Sequence, residues 1–446
     1  MRTRIAIASS ALLALVFSLL AFALPAQAET GFHVNNGRLY DANGNEFIMR
    51  GVSHPHAWYA GETGSFAEIK SFGANTVRVV LSSGHRWTRN DTADVANVIS
   101  LCRANRLICV LEVHDTTGYG DEGAAATLDQ AVDYWISIQS AMQGQEDYVI
   151  LNIGNEPFGN NASVNANWAS ATSSAIDRLR DAGFDHTIMV DAPNWGQDWS
   201  FTMRDNAQAV FNSDPDRNTV FSVHMYGVFD TAAEVNSYLN SFRSRNLPIV
   251  VGEFGHNHSD GDPDENTIMS TTRSLGIGWI GWSYSGNGGG VEYLDMVQNF
   301  NPANVTDWGR RIFTGTDGLS QTSREASVYG GGPDPSPSPT DPTTPPTGGC
   351  TASYAVVGQW SSGFQAAVTV TAGDAPISGW QVTWTYANGQ SISSSWSANV
   401  TSSGSRVTAT NVNYNGSLAA GASTQFGFLG SWNGSNSVPS VSCAVR

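Results

Sequence analysis

Two glutamates end apolar runs of the kind that form buried strands. Glu156 closes Leu151-Asn152-Ile153-Gly154-Asn155-Glu156-Pro157, and Glu253 lies in Val250-Val251-Gly252-Glu253-Phe254-Gly255. Two carboxyls facing one cleft can cut a glycosidic bond: one gives a proton to the leaving oxygen, and the other stays ionised beside the anomeric carbon. Either Glu alone serves as readily to cap a helix or pair with an arginine. Together, at strand ends that face each other, they point to catalysis. Arg78, in Thr76-Val77-Arg78-Val79-Val80, is an inward cation that needs a partner and can hold Glu253 ionised. His114 ends the run Glu112-Val113-His114-Asp115, and His224-Met225-Tyr226 ends another. Trp282, in Gly281-Trp282-Ser283-Tyr284, offers a flat face to a sugar ring, with core packing as its other use.

These residues need a frame that brings strand ends together. Eight Val- and Ile-rich runs succeed one another: Phe47–His54, Asn75–Leu81, Ile108–Asp115, Tyr148–Pro157, Thr187–Pro193, Thr219–Gly227, Pro248–Gly255 and Gly278–Gly286. Such runs suit strands buried on both faces, and amphipathic stretches such as Asp94–Asn105 and Leu128–Met142 separate them. The pattern predicts an α/β fold, a (β/α)₈ TIM barrel over residues 29–330, with its site at the C-terminal ends of the strands. On that barrel the fourth and seventh strands, which carry Glu156 and Glu253, face each other across the mouth. An open doubly wound sheet is the rival, but no G-x-G-x-x-G follows an early strand. Residues 331–349, rich in Pro, Thr, Ser and Gly, read as an extended linker. Beyond it, residues 350–446 hold three charged residues and eleven aromatics, with alternating runs such as Trp380–Tyr386. That is the pattern of a small all-β sandwich.

The chain of 446 residues has a net charge of −17, which excludes a partner held by nucleic-acid phosphates. With 14% charged residues and 14 Trp, it suits a neutral ring-shaped ligand. Residues 1–28, with Arg2 and Arg4 before an apolar run that ends Ala26-Gln27-Ala28, read as a secretory signal peptide cut after Ala28. The mature protein is then expected outside the cell, off the membrane and monomeric. Export permits disulfides. Cys350 and Cys443 read as a clasp on the last segment, whereas Cys102 and Cys109 are either a second bridge or two buried thiols. No Cys/His spacing suggests zinc, and no cofactor is expected. The run from His258 to Glu265 packs four carboxylates into six positions, which is either a structural calcium site or ordinary turn chemistry.

Arg78, His114, Asn155-Glu156-Pro157, His224-x-Tyr226, Glu253 and Trp282 together resemble glycoside hydrolase family 5. The resemblance covers Gly31–Gly330. Three longer strings, Gly51–Trp58, Glu112–Gly118 and Gly281–Asp295, are similar to the bacterial endo-β-1,4-mannanases of that family. It implies a retaining mechanism, with Glu156 as acid/base, Glu253 as nucleophile and their carboxyls about 5–5.5 Å apart. It also implies that Asn155 binds the sugar's 2-hydroxyl, Tyr226 bonds to the nucleophile, and His224 sits beside the acid/base. His114 and Trp282 would line the same subsite, with Arg78 among the binding residues, and Trp195 and Trp199 would flank the leaving group. The substrates implied are mannan, galactomannan and glucomannan. An endo-β-1,4-glucanase is the alternative enzyme, and a non-catalytic polysaccharide-binding protein the alternative from another class.

Cys350–Arg446 resembles a family 2 carbohydrate-binding module through its terminal cysteines, Gly379-Trp380, Ser395-Trp396-Ser397, Asn413–Gly416 and Gln425–Phe428. The resemblance implies a flat strip of Trp360, Trp396 and Tyr414 for cellulose. Tyr414, where Trp is commoner, narrows the strip, and Gly363 lets Trp360 lie flat. Trp380, on an alternating run, belongs to the core.

Overall fold

The structure, a computed structural model, describes residues 31–330 and 349–446, apart from 362, 374, 387, 388, 433–435, 437 and 440. The leader over 1–28 and the linker up to residue 348 lie outside the described residues. The chain divides into two compact units, one ending at Ser336 and the other starting at Pro337. No helix among the described residues is long and apolar enough to cross a membrane.

A short antiparallel pair, β1 (His33–Asn35) and β2 (Arg38–Tyr40), opens the first unit. Its Asn36-Gly37 turn, left-handed at both residues, is the strongest two-residue hairpin signal, although the strands it joins are only three residues long. Then come β3 (Arg50–His54), β4 (Thr76–Leu81), β5 (Ile108–Val113), β6 (Val149–Asn152), β7 (Ile188–Asp191), β8 (Thr219–Met225), β9 (Ile249–Phe254) and β10 (Gly278–Gly281). These eight close in chain order, with β10 pairing β3 in parallel, so the expected barrel is present. Every residue of β3 to β9 is buried, as strands sandwiched between helices and a filled interior require. Phe32, Leu39 and Phe47 from the opening segment pack with Ile108, Val110, Ile150 and Val250, which fill the N-terminal half of the barrel. The opposite, C-terminal half is left for polar chemistry.

The helices are set by local signals. Asp91 caps Thr92–Ala104 by accepting from the Asp94 amide, and Thr127 with Gln130, and Thr231 with Glu234, form capping boxes on Leu128–Ser137 and Ala232–Arg243. Such caps contribute about 1 kcal/mol each. Cys102, on the first of these helices, is bonded to Cys109 of β5, with Cα atoms 5.8 Å apart, which resolves the choice between bridge and thiols.

The second unit is a sandwich of two four-stranded antiparallel sheets. One has the order β11 (Cys350–Trp360), β12 (Gly363–Ala372), β17 (Ser423–Ser431), β14 (Ser391–Trp396). The other runs β15 (Asn399–Ser403), β16 (Arg406–Thr410), β13 (Trp380–Thr385), β18 (Val441–Val445). Phe364, Val368, Trp380, Trp384, Phe426 and Phe428 form its core, and Cys350–Cys443 joins the first strand of one sheet to the last strand of the other.

Candidate active site

Glu156, Glu253, His114, Asn155, His224, Tyr226 and Trp282 stand at or just past the C-terminal ends of barrel strands, Arg78 lies within β4, and Trp195 sits on the loop after β7. The run carrying Glu156 is strand only as far as Asn152; the chain then turns, and Glu156 itself takes a left-handed φ of 40°. A non-glycine residue held there is strained, and strain of this kind persists only where the surroundings over-determine it. Here they do: the Glu156 amide donates to Asp191 Oδ2 at 3.1 Å, and the Asn155 amide donates to the Val113 carbonyl. Across the mouth, β8 and β9 shift register between Val223 and His224, and His224 then lies opposite Glu253. Irregularities of this sort re-aim side chains beside active sites.

Glu156, His224 and Glu253 each place one oxygen or nitrogen within 4.8 Å of the others. One oxygen of each carboxyl therefore lies within 4.8 Å of the other residue's, so both can reach one glycosidic bond. Glu253 accepts from Tyr226 Oη at 2.7 Å and from Arg78 Nη1 at 3.0 Å, while Glu156 Oε1 accepts from His224 Nδ1 at 2.8 Å. Burial lifts the Glu253 carboxyl above its ordinary range, against the pull of His224 and Arg78. Two carboxyls this close resist double ionisation; Arg78 and Tyr226 donate to Glu253, and His224 stands against Glu156. Burial disfavours charge on His224, but Asp191 and Glu253 overcome it and hold the ring protonated up to about 10. The imidazolium thus donates to Oε1 of Glu156.

Arg78 was expected among the binding residues and to hold Glu253, and His224 to bind substrate beside the acid/base; the contacts with Glu253 and Glu156 are present, the sugar-facing part is not. Both are wholly buried and neither lines the cleft, so that part is corrected: they lie behind the carboxyls. A guanidinium with five donors can serve several partners in this position. Arg78 also donates to Asn152 Oδ1, at 3.2 and 3.1 Å, and to Asn155 Oδ1 at 2.7 Å. Asp191, at the end of β7, was overlooked. It accepts from Asn152 Nδ2 at 3.0 Å, sits 3.4 Å from Arg78 and lies 3.2 Å from His224 Nε2, off the line of a good hydrogen bond. Burial raises its carboxyl, but His224 and Arg78 outweigh this and bring it to about 2. An acid ending a buried Val/Ile run at the active end of a barrel was the available signal.

The cleft, of about 600 Å³, is lined by His114, Asn155, Tyr226, Trp282, Trp195 and Trp199 along with both glutamates. Trp282 and His114 lie nearly parallel, 5.6 Å between centroids, and form one apolar wall. His114 Nδ1 is 2.9 Å from Glu112 Oε1, which orients the ring. In the acidic run, Asp260 already serves His258, Gln197 and the Gly227 amide, and Asp264 caps the helix Glu265–Leu275.

On the second unit, Trp360, Trp396 and Tyr414 are 50%, 45% and 73% exposed, whereas Trp380 is buried. Cross-strand partners share a face, and so do residues two apart. Trp360 pairs with Gly363, Gly363 with Ser431, and Trp396 with Gly427, four residues from Ser431, so both tryptophans lie on the same outer face. A Cβ on Gly363 would come within 2.4 Å of the Trp360 ring, and one on Gly427 within 2.3 Å of the Trp396 ring. Each indole therefore lies flat over a glycine. Gly427 was not singled out from the sequence.

A family model described as cellulase (glycosyl hydrolase family 5) matches residues 40–288, and one described as cellulose binding domain matches residues 350–445. The mannan endo-1,4-beta-mannosidase of Streptomyces lividans is 63% identical over 306 residues, 68% of this chain and 79% of the relative. The solved beta-mannanase from Thermomonospora fusca shares 64% identity at a TM-score of 0.67, covering 67% of this chain and 99% of that one. The mannohexaose complex of that T. fusca enzyme matches at 63% identity and a TM-score of 0.66, over the same shares.

Proposed function

The chain belongs to glycosyl hydrolase family 5, and we propose that it is a secreted, monomeric, retaining endo-β-1,4-mannanase, held to plant cell wall by its cellulose-binding module. The leading support is the pair Glu156 and Glu253 in one cleft, with oxygens within 4.8 Å, in a chain so similar to relatives named as mannanases. Internal bonds of mannan, galactomannan and glucomannan are the substrates.

Sugar lies against Trp282, with Asn155 at its 2-hydroxyl. Glu156 gives its proton to the glycosidic oxygen as Glu253 attacks the anomeric carbon, so the leaving chain departs as an alcohol and a glycosyl ester forms on Glu253. Water then adds to the anomeric carbon, gives a proton to Glu156 and releases Glu253 as carboxylate. Arg78 and Tyr226 donate to that carboxylate, and His224 holds Glu156 in place through its Oε1. No step calls for a metal, so turnover in EDTA is expected to match turnover without it.

Reducing-sugar release from galactomannan, carboxymethylcellulose and xylan tests the substrate, and NMR of the first-formed anomer tests retention. Activity on carboxymethylcellulose alone would replace mannan by glucan, the reading that the cellulase description of the matching family favours. An inverted first product would remove the covalent intermediate.

A further inference from the structure

The loop from Pro193 to Phe201, between β7 and the helix Thr202–Ser213, carries both Trp195 and Trp199 into the cleft. Five of its residues have left-handed φ: Asn194 at 58°, Trp195 at 55°, Gly196 at 72°, Asp198 at 50° and Phe201 at 60°. Four are not glycine, so the loop is held against its own preference and needs an anchor. Asp198 is that anchor. Its side chain is inaccessible to solvent; Oδ1 accepts from the Met203 amide at 2.8 Å, and Oδ2 accepts from the Arg204 amide at 2.8 Å and Tyr238 Oη at 2.7 Å. Tyr238 belongs to the helix Ala232–Arg243, so one carboxylate binds the loop to two helices.

What the loop holds bears on the chemistry. The Trp195 amide donates to the Phe158 carbonyl at 3.0 Å, two residues after Glu156, and its indole N–H donates to Asp121. Trp199 donates to Asn160. The His224 amide donates to the Gly196 carbonyl at 2.8 Å, and a Cβ on Gly196 would lie 2.6 Å from the His224 ring. The loop thus rests directly on the imidazole that bonds to Glu156.

We propose that Asp198 is a positioning residue for the leaving-group half of the cleft, holding Trp195 and Trp199 in the path of the departing chain and Gly196 against His224. This rests on the glycosidase reading above. Asp198 touches no substrate; it acts through the loop.

The test compares mannohexaose, whose leaving group is a sugar chain that needs a proton, with β-mannobiosyl fluoride, whose leaving fluoride fills no sugar site and needs little acid help. Small misplacements of binding groups cost up to about 100-fold, so Asp198→Ala is expected to lower kcat/KM on mannohexaose about 30-fold and on the fluoride less than about 3-fold. Tyr238→Phe, which removes one donor of three, should move the same ratio by about 3-fold. Equal losses on both substrates would show a purely structural role, and unchanged values in folded protein would show no role; either overturns the proposal. If Asp198→Ala does not fold, Asp198→Asn and Tyr238→Phe are judged on the same ratio. Should wild type prefer cello-oligosaccharides, the mannan reading fails by itself, and cellohexaose against cellobiosyl fluoride measures the Asp198 ratio.

Discussion

The two units handle sugar by opposite physics. The barrel buries charge: Arg78, His224, Asp191, Glu112 and Glu253 are all withdrawn from water, and each is tolerable only because the others are near. The sandwich carries almost no charge and exposes flat rings over glycines. Bond cleavage needs a proton on one carboxyl and a charge on its neighbour, which demands exact distances and a dry setting. Adhesion to a polymer surface needs only area and flatness, which neutral rings supply. The barrel should therefore be sensitive to single charges and to pH, and the module to shape.

The sharpest test of this contrast is Glu253→Ala. It should lower turnover on galactomannan by roughly 10⁴-fold or more while leaving pelleting with cellulose unchanged. Substantial residual turnover would show that another group attacks the sugar.

Acid separates the units next. His54, at the end of β3, is packed against Phe66 and Phe300, and neither ring nitrogen has a hydrogen-bond partner. Burial, helped by His56, lowers its pKa to about 3. Since the fold favours the neutral ring, nothing is lost above pH 6.5, and stability falls as pH drops from there towards 3, the loss reaching about 3 kcal/mol at pH 4. In calorimetry the barrel's transition should drop between pH 7 and 4 far more than the module's. His54→Gln should flatten that acid slope, and an unchanged slope would assign it to other groups.

Within the module, Gly427→Val puts a branched side chain under the Trp396 indole. Tilting that ring should weaken cellulose binding about 10-fold, with turnover on soluble mannan unaffected. Smallest of all, Tyr414→Trp should tighten binding about 2- to 3-fold by widening the strip. A loss instead would mean that the Tyr414 hydroxyl, which donates to Ser397 Oγ at 3.1 Å, matters more than ring area.

Much of this was legible in one dimension because it is local. Doubly buried strands must be apolar throughout, so the eight runs announce the barrel, and glutamates where such runs end announce its working rim. Outward aromatics on a neutral alternating segment announce the adhesive strip. Asp191 ends its run as the glutamates do, so its place on the rim was legible, but nothing beside it in the chain says that Arg78, His224 and the Glu156 amide converge on its oxygens. The β1–β2 turn was different, because its Asn-Gly signal was present and simply went unread.

Sequence alone determined the periodicities, the residue types at the strand ends and the separation into a barrel-forming part and a sandwich-forming part, since each follows from neighbours within a few positions. Tertiary structure decided which polar groups line the cleft and which stand behind them, as with Arg78 and His224, and it decided that Asp198 would anchor a left-handed loop. Those outcomes depend on barrel closure, which brings together residues tens of positions apart at distances of about 3 Å, a scale on which hydrogen bonds and proton affinities are set.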